Sequence, residues 1–121
     1  MLIGTMAAMQ YEPEDTIANV TNTIRFQCSS DQMISWVYAS DESSLTQKRV
    51  LHNGKRFSID VDRRYSIENV TKGQMDLIID NVQYSDAGIY ICAKYGTSSP
   101  KYSQLIVLSK LFHVFLDNFQ E

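Results

Sequence analysis

From Asn22 to Cys28 the chain alternates strictly, Ile24, Phe26 and Cys28 against Arg25 and Gln27, and the same period of two returns in short runs down to residue 108. That period sends alternate side chains to opposite sides of an extended backbone, so each run reads as a half-buried strand. Residues 34–38 form a second run with Trp36 inward, after the turn Ser29-Ser30-Asp31-Gln32, and residues 49–52 a third, after Asp41-Glu42-Ser43-Ser44. Asn53-Gly54 follows. Both residues tolerate the positive φ of a tight hairpin turn, so they predict pairing of residues 50–52 with 56–59. Residues 64–68 and 75–79 flank the turn-like Thr71-Lys72-Gly73, and residues 89–95 and 102–108 are joined by Gly96-Thr97-Ser98-Ser99-Pro100. Eight or nine short strands with turn signals at this spacing predict an all-β sandwich or barrel.

The chain of 121 residues is the size of one core, and no linker, repeat or low-complexity tract interrupts residues 10–108. One domain is expected over 10–109, after a polar, frayed start. The tail, 110–121, changes period: Leu108, Leu111, Phe112, Phe115, Leu116 and Phe119 share one face of an amphipathic helix. It reads either as a short helix or as sequence beyond the domain.

Several functions are excluded early. The net charge is -3, and the basic pairs Lys48-Arg49, Lys55-Arg56 and Arg63-Arg64 are scattered, which is not the dense cationic footprint of a nucleic-acid binder. No run approaches the roughly 18 apolar residues of a membrane span. The first nine residues lack the basic start of a signal peptide, so the expectation is a piece of a longer secreted or membrane protein, or a replaced leader. His52 and His113 lie in dissimilar segments without a carboxylate or thiol at ligand spacing, and there is no Gly-x-Ser-x-Gly elbow or phosphate-cradling loop. The expectation is no enzyme, no cofactor and no metal.

Cys28 and Cys92 stand 64 positions apart, a spacing that by itself leaves a disulfide and two unrelated buried thiols equally open. The sequence around them is more specific. Asp86-Ala87-Gly88-Ile89-Tyr90-Ile91-Cys92, with Cys28 and Trp36 ahead of it, resembles the immunoglobulin superfamily pattern over roughly residues 20–108. The resemblance implies a two-sheet antiparallel Greek-key sandwich in which a Cys28–Cys92 disulfide bridges the sheets, with Trp36 packed against the sulfurs. It implies that Tyr90 is a tyrosine corner whose hydroxyl returns to the backbone upstream, and that Asp86 pairs with Arg64, with Arg63 as the competitor. The stretch between Trp36 and Arg64 has room for two extra edge strands, which favours the variable type (V-set). The short interval from Cys28 to Trp36, and the lack of a Gly-x-Gly bulge after Tyr102, set the chain apart from antigen-receptor segments and nearer to a non-rearranging adhesion or recognition receptor. Two sequons, at Asn19 and Asn69, are candidate glycosylation sites and fit an oxidising, extracellular setting.

If Trp36, Tyr90 and Cys92 face inward, Ser35, Val37 and Ala39 on one strand and Ile89, Ile91 and Ala93 on another face outward. An apolar strip on a solvent face suggests a docking surface. Val37, Ala39, Ile91, Tyr95, Thr97, Ser98 and Tyr102 are therefore the candidate partner contacts, and resemblance to variable-type adhesion domains implies a protein partner: a second copy, giving a homodimer, or a related immunoglobulin domain. The competing readings are a spacer domain of an intracellular filament protein, with its cysteines reduced, and a soluble innate-immune carbohydrate binder.

Overall fold

A computed structural model describes residues 14–71, 73–95 and 100–108. Eight strands are found there: β1 Thr16–Asn19, β2 Ile24–Phe26, β3 Ile34–Ala39, β4 Arg49–His52, β5 Tyr65–Thr71, β6 Gln74–Ile79, β7 Gly88–Lys94 and β8 Lys101–Leu108. They form a five-stranded sheet in the order β1-β8-β7-β3-β4 and a three-stranded sheet in the order β2-β6-β5. The sandwich reading is the one realised, and the inward residues of each alternating run meet between the sheets.

Phe26, Trp36, Leu51, Leu77, Ile79, Val82, Tyr90 and Leu105 are all essentially inaccessible to solvent. Phe26 stacks on Tyr90 with ring centroids 5.1 Å apart and tilts against Trp36 at 6.4 Å. The buried Trp36 Nε1 donates to the carbonyl of Met75 in the opposite sheet at 3.1 Å, which removes the penalty of burying an indole N–H. Cys28 and Cys92 form the disulfide, with Cα atoms 6.6 Å apart. Trp36 lies directly opposite Cys92 in the β3–β7 register. The bridge and the single tryptophan therefore occupy one level of the core.

The structure departs from the sequence reading in three places. β1, inside the stretch expected to be frayed, is a regular strand running parallel to β8, with Thr16 opposite Leu105 and Asn19 opposite Leu108. It carries one buried side chain, Ala18, so its sequence shows no alternation worth reading. Second, residues 56–59 do not form a strand. Only a bridge between His52 and Phe57 and the bond from Ser58 N to the Leu51 carbonyl at 2.8 Å continue the pairing. Third, Gly54 alone takes a positive φ, of 100°, because the Asn53 side chain organises the turn differently: its Oδ1 accepts from the amides of Lys55 at 2.9 Å and Arg56 at 3.0 Å. The expected tail helix, 110–121, lies outside the described residues.

His52 closes this turn. It is buried against the edge of the Phe57 ring, 4.7 Å between centroids, and its Nδ1 accepts from Gly54 N at 3.0 Å. Burial lowers its pKa below the ordinary histidine value. The unfolded chain then takes up a proton, near pH 6.5, that the folded chain resists, so stability is lost as pH falls from about 6.5 toward the depressed folded value. Urea midpoints measured between pH 7 and pH 5 are expected to fall, and His52→Gln is expected to flatten that decline.

Candidate partner-binding face

The outer side of the five-stranded sheet is built by the side chains that the core leaves over. In register, Val50 of β4 lies opposite Val37 of β3, Val37 opposite Ile91 of β7, and Ile91 opposite Tyr102 of β8. One row of apolar residues thus crosses four strands. The neighbouring row runs from Ala39 to Ile89 to Gln104.

The row is not uniformly open, and this corrects the sequence reading. Ile91 and Ala39, expected to present themselves to a partner, are each only 1% exposed. With Ile89 they form a small second apolar cluster, against which the partly buried Val37 and Leu45 pack. Leu45 follows the 3-10 turn Glu42–Ser44, whose last bond, Leu45 N to the Glu42 carbonyl at 3.3 Å, sets the leucine at the head of the next loop. Period-two reasoning assigns the correct side of the sheet to Ile91 and Ala39. It cannot foresee that a residue from a loop packs onto that side.

What the face offers solvent is the two ends of the row, Val50 at 46% and Tyr102 at 45% exposed, and Tyr95 just past β7 at 69%. Thr97 and Ser98 fall outside the described residues. Sequence reasoning missed two further contributors, Ile106 on β8 and Ile17 on β1, which are exposed and opposite each other in the parallel register. The signal for Ile106 was present in the alternation of Tyr102, Gln104 and Ile106; none pointed to Ile17, because β1 itself was not legible.

At one end of the sandwich, Asp86 collects a polar cluster. The Arg64 guanidinium meets its carboxylate with both terminal nitrogens, Nη1 to Oδ2 at 2.7 Å and Nη2 to Oδ1 at 3.0 Å. Tyr65 Oη donates to Oδ1 at 2.6 Å, and the backbone amide of Gln83 donates to Oδ2 at 2.7 Å. Burial alone would raise the carboxyl's pKa, but Arg64, Tyr65 and the Gln83 amide outweigh it and hold Asp86 below the usual carboxylate range. The Arg64 pKa is raised, chiefly by its hydrogen bonds to Asp86, and burial raises Tyr65. Tyr90 Oη reaches the Asp86 carbonyl at 2.6 Å, four residues upstream, and burial raises its pKa as well. Gly88, at φ 149°, leaves no room for a Cβ, which would come within 2.8 Å of the Ala39 carbonyl and the Tyr38 ring. Arg64 rather than Arg63 is thus the partner of Asp86.

Beside this cluster a cavity of about 470 Å³ is lined by Tyr38, Arg49, Asp60, Asp62, Arg64 and Asp86, among others. Arg49 lies over the Tyr38 ring and within 3.9 Å of Asp60, while Arg64 serves Asp62 and Asp86. Each aspartate of the wall thus faces an arginine, two arginines serving three aspartates. Among the described residues no group of three His, Cys, Asp or Glu side chains could hold a metal ion, and no helix is long and apolar enough to cross a membrane. Of the sequons, Asn19 ends β1 with its Oδ1 buried and without a hydrogen-bond partner. Asn69 lies in β5, its side chain outside the described set.

Comparison with known proteins adds one finding to this geometry. The family model of the immunoglobulin V-set domain matches residues 11–108. No curated protein matches the chain.

Proposed function

The chain belongs to the immunoglobulin V-set family, whose members are recognition modules, and from that we propose that it binds a second immunoglobulin domain, its own copy or a related one, through the outer face of the five-stranded sheet. The observation that supports this reading most is the apolar row Val50–Val37–Ile91–Tyr102, whose two ends are open to solvent. Its opposite side is already satisfied by the core. A water-facing sheet surface ordinarily alternates to polar residues, and contiguous apolar patches and tyrosines are enriched at binding surfaces.

The closed Cys28–Cys92 bridge supports an extracellular setting over a reduced intracellular spacer, because such bonds persist in oxidising compartments. Tyr95 and Tyr102 remain the candidate contacts from the sequence reading. Val50 joins them, and Ile91 and Ala39 become the support beneath.

Burial changes the appropriate test. A charge at Ile91 would break the small outer cluster, so loss of binding would say nothing about contact. Val50→Glu and Tyr102→Ala alter exposed side chains and leave the core alone. In sedimentation equilibrium over a wide concentration range, the intact chain is expected to self-associate, and each substitution to weaken the association about tenfold or more, the size of a truncated interface anchor. An association constant unmoved by both changes would remove this face from consideration.

A further inference from the structure

The turn after β4 holds three groups arranged around one bond. Asn53 is followed by Gly54, and the reaction open to an Asn-Gly pair is attack by the glycine nitrogen on the asparagine's side-chain carbonyl carbon. In most folds, backbone rigidity holds the two apart. Here a base and two amide donors stand around the pair.

The attacking nitrogen is Gly54 N, and its proton is the one donated to His52 Nδ1 at 3.0 Å. The imidazole is therefore in the tautomer that carries hydrogen on Nε2, with Nδ1 positioned as a base. Contact with the Phe57 ring fixes its orientation. Burial keeps it neutral at physiological pH. The oxygen that must accept charge is Asn53 Oδ1, which receives the amides of Lys55 at 2.9 Å and Arg56 at 3.0 Å, two donors placed as in an oxyanion hole. The fold demands glycine after Asn53, since φ is 100° and a Cβ would lie 2.7 Å from the Met33 side chain, so no side chain shields the nitrogen. Asn53 itself is exposed, which gives ammonia an exit and water an entrance.

We propose that Asn53-Gly54 is a self-modification site, at which the fold accelerates closure to a succinimide and His52 acts as the general base. The lone pair of Gly54 N bonds to Asn53 Cγ, the carbonyl π pair moves to Oδ1, and the Gly54 proton passes to His52 Nδ1. On collapse the Cγ–Nδ2 bond breaks, and Nδ2 leaves as ammonia with the proton returned by His52. Water then opens either carbonyl of the ring, leaving aspartate or isoaspartate at position 53. The product carries a new negative charge, and the isoaspartate form lengthens the backbone by one carbon at the end of β4.

The test is the rate of product formation at position 53 in the oxidised, folded chain at neutral pH and 37 °C, read by peptide mapping that separates aspartate from isoaspartate. The reference is the same chain reduced, alkylated and held unfolded in urea. The folded chain is expected to react at least tenfold faster than the unfolded one, a modest share of what positioned acid–base groups supply. His52→Gln is expected to remove most of that advantage without changing the unfolded rate. A folded rate equal to or below the unfolded rate overturns the proposal, and so does a folded His52→Gln chain that reacts as fast as the original. Should His52→Gln not fold, the comparison of folded and unfolded original chain decides alone.

Discussion

Asp86→Ala is expected to destabilise the domain by about 3–5 kcal/mol, the penalty for removing one member of a buried ion pair and stranding the other. The carboxylate, 3% exposed, accepts from Arg64 twice, from Tyr65 and from the Gln83 amide, so its loss removes four hydrogen bonds at one end of the sandwich. Part of the effect is a guanidinium left with only the half-exposed Asp62 as its ion-pair partner, which a double-mutant cycle isolates: adding Arg64→Met to Asp86→Ala should recover part of the loss. The pH dependence carries its own signature. Because the folded pKa of Asp86 is depressed, its contribution is complete above the unfolded carboxylate value, near 3.9, and disappears as pH falls through the folded value. Guanidinium unfolding curves of the two proteins should therefore differ widely at pH 7 and converge in strong acid. A gap unchanged down to pH 2 would mean that the carboxylate's charge is immaterial.

The second large effect is expected from the disulfide. Replacing Cys28 and Cys92 together by alanine opens a loop spanning 64 positions, and the chain-entropy estimate for a loop of that length is about 4 kcal/mol. Trp36, the only tryptophan and fully buried opposite Cys92, supplies the readout. Its emission should shift to the red at much lower denaturant in the double variant than in the oxidised protein. Reduction of the original chain should reproduce the shift. Equal midpoints would show that packing around Trp36 holds the sheets together without the bond.

The V-type core was legible in the sequence because each of its parts lies at a position that alternation or a short motif determines. Phe26, Trp36, Tyr90 and Cys92 follow from period two, and Tyr90 and Asp86 from their spacing to Cys92. Arg64 was the first choice as the partner of Asp86, with Arg63 left as the competitor. What escaped depends on contacts that no local pattern encodes. β1 exists because its backbone finds β8, with Ala18 its only fully buried side chain. The Asn53-Gly54 turn was recognised, but its form was misjudged, since Asn53 spends its side chain on two amides rather than its backbone on a positive φ. Period two placed Ile91 and Ala39 on the outer side of the large sheet. Tyr95 and Tyr102 are exposed as expected, whereas Ile91 and Ala39 are covered, in a cluster against which Leu45 packs from a loop.

The parallel pairing of β1 with β8 bears on how the chain reaches this structure. Thr16 meets Leu105, so the outermost strand of the large sheet finds its neighbour only when nearly the whole domain has been made. During synthesis β1 must wait, unpaired, while the strands between it and its partner are assembled. Contacts this distant in sequence are the slow ones to form, which places the domain among β-sandwiches that fold in milliseconds to seconds and makes β1 docking a late event. Substitutions at Ala18 should then speed unfolding more than they slow folding.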